Sequence, residues 1–417
     1  MSNETPQLDL FSHVLAAYSA VSDRPMPNEE LYRAVAQRAC LKAPDTQRVE
    51  PVGEARAPRN LFHRRVRWYQ QTLKNLGMLE RVEGKRGIWQ LTDRARKDLH
   101  PIRRPWTMLA FSTDLGVSVW GAASDVFRDL DVPITLCFTS PPYPLRTPRS
   151  YGNVDSRAIV DFICQTLAPV IDNLAQDGSL ALNVSNDIFE NRSPSRSTYL
   201  ERLVLTLVDE YGLHLMDRWV WHNASKPPSP IQWASKTRQQ LCVAYEPILW
   251  FAKDPQKVKS DNRRVLEPHT PRQQALINQG GERRTATYGD GAYRLRPGSF
   301  GQATAGRIPR NVIQQGHRCR WSDLYRREAA ALGLPLHGAG MPYAIPEFVI
   351  RLLTEEGDVV ADPFAGRSMT GRAAESLGRK WICSEMMLEY AVGGSTLFPD
   401  AEGFSSPLLD AYRGQAA

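Results

Sequence analysis

The sequence lacks several features that would define its class immediately. No apolar run in its 417 residues approaches the roughly 18 residues of a membrane-spanning helix. The six cysteines are widely spaced and form no Cys-x-x-Cys pair, which argues against a zinc ribbon and against a disulfide framework. The first residues carry neither the basic nor the apolar region of a signal peptide. These absences predict a cytoplasmic protein that contacts no membrane, and we expect no metal site.

Acidic residues are scarce in two segments. Residues 55–104 contain 14 Lys and Arg but only 4 Asp and Glu, and residues 257–320 contain 13 against 4. The whole chain has a net charge of +7, so the rest of the chain is acidic. Basic segments in an otherwise acidic protein are typical of surfaces that bind a polyanion such as a nucleic acid. Solvated basic faces without a partner are the alternative.

The first 105 residues predict a small helical domain that ends in a hairpin. Apolar residues recur at helical spacing over 8–18 and 62–76, and Gly77 would cap the second helix. Two short strand-like runs, 78–82 and 88–92, then surround a basic Gly84–Gly87 turn. A DNA-binding module and a packing or dimerisation domain both fit this pattern.

The remaining residues alternate apolar strands with amphipathic helices, which indicates an α/β sheet. One stretch rich in Gly, Pro, Gln and Arg interrupts this alternation, and the last residues show little periodicity and predict a loose end or a partner contact. The predicted organisation is a helical domain at 1–105, two halves of an α/β domain at 106–255 and 337–393, an irregular basic insertion at 256–336, and a tail at 394–417.

A proline-stiffened motif, Thr139-Ser-Pro-Pro-Tyr143, directly follows the predicted strand 134–138. Its two prolines fix φ and prevent the chain from continuing into a helix. We therefore expect a rigid loop at the carboxyl end of a strand, where α/β proteins bind ligands. Ser140 and a backbone carbonyl of this loop would accept hydrogen bonds from an amino group, and Tyr143 would stack on a planar ring. This chemistry suits the exocyclic amine of a nucleobase, whereas a Pro-Pro turn without function is the alternative.

A second motif, Asp362-Pro-Phe-Ala-Gly-Arg-Ser-Met-Thr-Gly371, lies between a predicted strand at 359–361 and a helix that ends near Leu377. A glycine turn at a helix N-terminus lets the backbone approach a ligand closely. The next strand, 381–385, ends about 20 residues later at Glu385, where an acid can accept hydrogen bonds from ribose hydroxyls. The sequence has no Gly-x-Gly-x-x-Gly at this point, so the layout favours a nucleoside over a dinucleotide.

Together these motifs resemble those of S-adenosylmethionine-dependent DNA amino-methyltransferases of the β class, in which the catalytic motif precedes the cofactor motif. The resemblance covers about residues 106–393. It implies a Rossmann-like methyltransferase sheet with a circularly permuted motif order. Residues 1–105 resemble the winged-helix N-terminal domain of the Mrr restriction endonucleases. Further similar segments lie at 149–153, 221–233, 245–253, 306–311 and 341–347.

The resemblance implies a site-specific enzyme that transfers a methyl group from S-adenosyl-L-methionine to the exocyclic N4 of a cytosine flipped out of double-stranded DNA. In this family Ser-Pro-Pro-Tyr usually accompanies cytosine N4, and Asp-Pro-Pro-Tyr accompanies adenine N6. Adenine N6 methylation and a catalytically weak DNA-binding regulator are the alternatives. A restriction-modification system, with a cognate restriction endonuclease as partner, is the expected setting, and the basic insertion would recognise the target sequence.

The resemblance also implies roles for individual residues. Arg367, Ser368 and Met369 replace the Ser-Asn-Thr of the common cofactor motif, and Asn183 stands where some relatives carry an acid. The expected catalytic residues are Ser140, Pro141, Pro142 and Tyr143. The expected cofactor-binding residues are Asp362, Phe364, Gly366, Ser368, Thr370 and Glu385.

Overall fold

The computed structural model describes residues 9–19, 21, 24–52, 56–76, 78–92, 100–143 and 158–416. No helix in these ranges has the length and apolar character needed to cross a membrane. The strands are β1 (Met26–Pro27), β2 (Val49–Val52), β3 (Ala57–Asn60), β4 (Leu79–Arg81), β5 (Ile88–Leu91), β6 (Met108–Ser112), β7 (Gly116–Trp120), β8 (Ile134–Thr139), β9 (Leu174–Asn183), β10 (His214–His222), β11 (Tyr245–Ala252), β12 (Ala286–Tyr288), β13 (Tyr293–Leu295), β14 (Val312–Gln314), β15 (Val359–Asp362) and β16 (Lys380–Glu385). The α-helices are α1 (Asp9–Ser19), α2 (Asn28–Arg38), α3 (Ala43–Gln47), α4 (Leu61–Asn75), α5 (Ala123–Val126), α6 (Ile159–Asp172), α7 (Tyr199–Asp209), α8 (Pro271–Asn278), α9 (Arg320–Ala331), α10 (Ala344–Leu353), α11 (Met369–Ser376), α12 (Leu388–Ser395) and α13 (Pro407–Ala416).

The N-terminal part packs α1, α2 and α4 against a small antiparallel sheet of order β1-β5-β4. The two helices and the hairpin predicted from the sequence are present as α1, α4 and β4–β5. The side chain of Asn60 caps α4 by accepting a hydrogen bond from the N–H of His63 at 2.8 Å. Gly77, the predicted C-terminal cap, lies outside the described residues. The strand β1 was not predicted, because two residues are too few to show a period.

The main sheet has nine strands in the order β14-β10-β11-β9-β8-β15-β16-β7-β6. Its central strands β9, β8, β15, β16 and β7 are parallel, and antiparallel pairing begins at β11 on one side and at β6 on the other. All residues of β8 are buried, as expected for a parallel strand with both faces covered. The predicted α/β fold with a permuted motif order is confirmed. The predicted strands 134–138, 359–361 and 381–385 are found as β8, β15 and β16.

The spatial relation between the two motifs is fixed by the pairing of β8 with β15. These strands are adjacent and parallel, with Leu136 opposite Val360 and Cys137 opposite Ala361. Carboxyl ends of neighbouring parallel strands meet at the same edge of a sheet. The loop after Thr139 and the turn after Asp362 therefore lie side by side, although more than two hundred positions separate them in sequence.

The insertion and the tail are more ordered than the sequence predicted. Within 256–336, β14 extends the main sheet beside β10, and α9 buries Trp321 and Tyr325 in the core. The tail is not a loose end, because α13 packs against α1 and buries Leu408 and Leu409. A helix of ten residues spans fewer than three turns, which is too short for its apolar side to show in the sequence.

Candidate active site

A hydrogen-bonded link joins the two motifs. Thr139, the last residue of β8, donates its hydroxyl to Oδ1 of Asp362 at 2.6 Å. The N–H of Phe364 reaches both Oγ1 of Thr139, at 3.3 Å, and Oδ1 of Asp362, at 3.1 Å. Both Thr139 and Asp362 are buried, so this link holds the ends of β8 and β15 in a fixed relation. Sequence reasoning missed Thr139 as a site residue, because its role depends on the pairing of two distant strands.

The proline loop keeps its polar groups at the edge of the sheet. Oγ of Ser140 lies 3.3 Å from the hydroxyl of Tyr143, and Pro141 is buried. Pro142 and Tyr143 are half-buried, so the ring of Tyr143 keeps an accessible part. The residues that follow, 144–157, lie outside the described part, and they include the similar segment at 149–153.

A chain of polar side chains extends from Ser140 into the neighbouring strands. Nδ2 of Asn183, at the end of β9, lies 3.4 Å from Oγ of Ser140 and donates to Oε2 of Glu246 at 3.1 Å. Nζ of Lys226 donates to the other oxygen of Glu246 at 3.0 Å. The side chains of Lys226 and Glu246 are each only 15% exposed, so the ion pair is largely withdrawn from water.

Glu246 and Lys226 were not predicted as site residues. Glu246 lies at the start of β11, which runs antiparallel to β9, and this brings it beside Asn183. The structure thus supplies a carboxylate next to the position where Asn183 replaces the acid of some relatives. The only signal in the sequence was the resemblance of the segments 221–233 and 245–253 to those of DNA amino-methyltransferases. That resemblance did not point to either residue individually.

The cofactor motif forms a tight turn between β15 and α11. Gly366 has a left-handed φ of 53°, and its N–H donates to Oε2 of Glu385 at 2.8 Å. The other oxygen, Oε1, accepts from the N–H of Met387 at 2.8 Å. Glu385 is therefore fixed at the end of β16, and its carboxylate keeps acceptor capacity for a further donor.

The remaining predicted cofactor residues lie at different depths. Phe364 is half-buried, and its ring centroid is 5.9 Å from that of Phe162. Thr370 is buried beside Asp362. Ser368 is fully buried, and its hydroxyl faces α12, where a Cβ on Gly394 would lie 2.9 Å from it. The Ser368 side chain therefore faces α12, and only its backbone remains a candidate for ligand contact.

Burial changes the acidity of both carboxyl groups in this turn. Burial raises the pKa of Asp362 to about 6, and hydrogen bonds from Thr139 and the N–H of Phe364 partly offset the rise. Burial also raises the pKa of Glu385 to about 7, against the opposing effect of the N–H groups of Met387 and Gly366. Strongly perturbed acids at the carboxyl ends of adjacent strands are typical of a functional site.

The sheet, the two adjacent motifs and the perturbed acids define a DNA methylase. The family model described as DNA methylase matches residues 134–392, so the chain belongs to this family. The Mrr N-terminal domain model matches residues 9–100.

Individual relatives agree with this assignment. The type II methyltransferase M.PvuII of Proteus hauseri is 32% identical over 304 residues, which are 73% of this chain and 89% of that protein. The DNA adenine methyltransferase YhdJ of Escherichia coli strain K12 is 29% identical over 40% of this chain and 48% of that protein. Among solved structures, the PvuII DNA methyltransferase described as cytosine-N4-specific has a TM-score of 0.55 and 27% identity, covering 73% of this chain and 94% of that one.

The cofactor of this family is S-adenosyl-L-methionine, and the chain acts on DNA. The residues of the turn fit this cofactor. A fixed carboxylate stands at the end of β16, as a ribose requires, and the half-buried Phe364 offers an aromatic surface in the same turn as Gly366. The buried Arg367 in the same turn has an Nε–H without a partner among the described residues.

Proposed function

We propose that this chain transfers a methyl group from S-adenosyl-L-methionine to the exocyclic N4 of a cytosine in double-stranded DNA. The observation that carries the proposal is the position of Ser140, which lies at the carboxyl end of β8 beside the cofactor turn and in contact with Asn183. Serine as the first residue of Ser-Pro-Pro-Tyr favours cytosine over adenine. The cytosine-N4 specificity of the PvuII methyltransferase supports the same choice.

Tyr143 and Ser140 would hold the target base. The base must leave the duplex stack, at a cost of a few kcal/mol, and stacking on Tyr143 would return about 1–3 kcal/mol. The N4 amino group would donate to Oγ of Ser140 and to the carbonyl of Pro141, while Pro142 keeps the loop rigid. This arrangement would direct the nitrogen lone pair toward the methyl group. Positioning and electrostatics would then account for the rate enhancement.

The cofactor would lie in the turn between β15 and α11. Glu385 would accept hydrogen bonds from the ribose, Phe364 would pack against the cofactor, and the backbone of Gly366 and Ser368 would permit its close approach. Asp362 and Thr370 would form the polar floor beside it. When bound, S-adenosyl-L-methionine supplies an electrophilic methyl group on a sulfonium.

The DNA surface would combine the basic insertion with the N-terminal domain. Lys259 and Arg264 are not free for DNA, because they pair with Asp358 and Glu355 and anchor the insertion beside α10. Other arginines are exposed and form no ion pair with any described carboxylate, and they support DNA contact: Arg272, Arg283, Arg294, Arg296, Arg310 and Arg318.

The N-terminal helices and hairpin support a winged-helix role in binding DNA, since α4 presents the exposed residues Arg64, Arg67 and Trp68 on one side. A cognate restriction endonuclease remains part of the proposal, and the cytoplasmic location stays a prediction.

Radiolabelled methyl transfer to plasmid DNA, followed by nucleoside analysis, tests the proposal. We expect label in N4-methylcytosine from the wild-type chain. Ser140→Ala is expected to lose methylation by about 100-fold or more, since it removes the acceptor for the reacting amine, while it retains cofactor affinity. Ser195→Ala, an exposed serine outside the site, is the matched control and should retain activity.

Three results would contradict the proposal. Label in N6-methyladenine would show that the base assignment is wrong. Cofactor binding without transfer to any DNA would favour the DNA-binding regulator. A near-normal rate in Ser140→Ala would remove Ser140 from the mechanism.

A further inference from the structure

A buried arginine in the cofactor turn has no carboxylate partner in the part of the chain that the structure describes. Arg367 is only 5% exposed, and among the described residues no carboxylate forms an ion pair with its guanidinium. Its Nη2 donates to Oγ of Ser322 at 3.0 Å and to the carbonyl of Met341 at 2.8 Å, both of which are neutral. Its Nε–H has no partner among the described residues. A buried charge is ordinarily paired, because removing an ion from water is costly.

The neighbouring Arg372 shows what the ordinary arrangement looks like in this chain. Arg372 is also buried, at 6% exposure, but its guanidinium forms two hydrogen bonds to Asp400, at 2.9 and 3.1 Å. Arg367 lies in the turn before α11, and Arg372 lies within that helix. Nε of Arg372, like that of Arg367, has no partner among the described residues, so the two buried arginines differ in the carboxylate that only Arg372 contacts.

The surroundings of Arg367 are built to fit the guanidinium closely. A Cβ on Gly340 would lie 2.2 Å from Cζ of Arg367, so the guanidinium lies directly against the backbone that precedes α10. The ring of Tyr325 lies on another side, with its centroid 5.7 Å from Cζ. A side chain held this closely has lost most of its rotamer freedom before any ligand binds, which favours tight recognition.

We propose that Arg367 binds the carboxylate of the amino-acid end of S-adenosyl-L-methionine. Arg367 follows Gly366 directly, in the turn whose N–H fixes the ribose-binding candidate Glu385. The carboxylate is the only anionic group of this cofactor, and a guanidinium is the side chain best suited to bind it. The burial of Arg367 disfavours a DNA phosphate as its partner, because phosphates are contacted by exposed side chains.

The proposal gives a function to a departure from the family motif, in which serine is common at this position. It rests on the proposed function only for the identity of the cofactor. Binding is measured without DNA, so the result does not depend on which base is methylated.

The test compares two ligands in calorimetric titrations. S-Adenosylhomocysteine carries the amino-acid carboxylate, and 5′-methylthioadenosine lacks it. In Arg367→Met, which keeps an apolar stem and removes the charge, we expect the affinity for S-adenosylhomocysteine to fall about ten- to hundredfold, as for a lost charge-assisted hydrogen bond. The affinity for 5′-methylthioadenosine should change less than about twofold. Arg320→Met, an exposed arginine nearby on α9, is the control and should change neither affinity.

Thermal unfolding without ligand gives a second readout. Because Arg367→Met removes an unpaired buried charge, we expect its melting temperature without ligand to equal or exceed that of the wild type. An unchanged affinity for S-adenosylhomocysteine, or an equal loss for both ligands, would overturn the proposal. If Arg367→Met does not fold, Arg367→Ser is titrated in the same way. Failure of both variants to fold would show a structural role and would also overturn it.

Discussion

The raised pKa of Glu385 makes the folded chain sensitive to pH in a way that can be measured. The carboxyl group is held at the end of β16 by two N–H donors, yet burial raises its pKa from 4.5 to about 7. The folded state therefore binds the proton more tightly than the unfolded state does. This tighter proton binding stabilises the folded state. The stabilisation is fully present below about pH 4.5 and is lost as the pH rises through about 7. The rise corresponds to about 3 kcal/mol, of which about 2.5 kcal/mol is lost between about pH 5 and pH 8.

Glu385→Gln removes this titration and keeps the size of the side chain. We expect the free energy of unfolding of the wild type to fall, relative to the variant, by about 2.5 kcal/mol between about pH 5 and pH 8. Asp362, whose pKa is raised to about 6, changes stability in the same direction but is present in both proteins. Urea unfolding at the two pH values measures the difference, and the exposed Glu402→Gln serves as the control.

Cofactor affinity should change with pH in the opposite direction. A ribose donates to the ionised carboxylate, so the wild type should bind S-adenosylhomocysteine up to about tenfold more tightly near pH 8 than near pH 6, whereas Glu385→Gln should bind weakly at both. Identical pH dependence of stability in wild type and variant would refute the argument about burial. A cofactor affinity that is independent of pH in the wild type would refute the ribose-binding role.

Two further predictions concern the target base and the DNA surface. Glu246→Gln breaks the buried ion pair with Lys226, so we expect kcat/KM for DNA methylation to fall about ten- to hundredfold. The affinity for S-adenosylhomocysteine, measured by calorimetry, should not change. An unaltered methylation rate would exclude Glu246 from positioning Asn183. Replacing Arg64 and Arg67 on α4 by Gln should weaken DNA binding and reduce the slope of log affinity against log salt by about 2, with the exposed Arg33→Gln on α2 as control. An unchanged slope in a salt titration would indicate that the N-terminal domain has a packing role.

Point substitutions are preferable to deleting residues 1–105, for a structural reason. The apolar side of α13 is buried against α1, so deletion would expose Leu408 and Leu409 at the surface of the remaining chain. If the truncated chain bound DNA more weakly, the cause could be either the loss of DNA contacts by residues 1–105 or a lower folding stability of the remaining chain, and the measurement would not distinguish them.

The local chemistry of the sequence was sufficient to predict both motifs and the strands that carry them. Ser-Pro-Pro-Tyr after an apolar strand, and a glycine turn followed by an acid about 20 residues later, depend on neighbouring residues only. Buried parallel strands are continuous apolar runs, and for this reason β8 and β15 were predicted within one residue of their ends. Several of the elements that were missed are short, such as β1, β14 and α13, whose few residues show no clear period.

Only the tertiary structure decided which distant groups act together. Thr139 is an ordinary strand residue until β15 lies beside β8 and brings Asp362 within 2.6 Å. Glu246 approaches Asn183 because β11 runs antiparallel to β9, and no local pattern determines that direction. That no described carboxylate pairs with Arg367 depends on every side chain that surrounds its guanidinium. The periodicity of the sequence indicates whether a residue is buried. The order and direction of the strands determine which residues become its neighbours. Strand order and direction in turn follow from the packing of the whole chain.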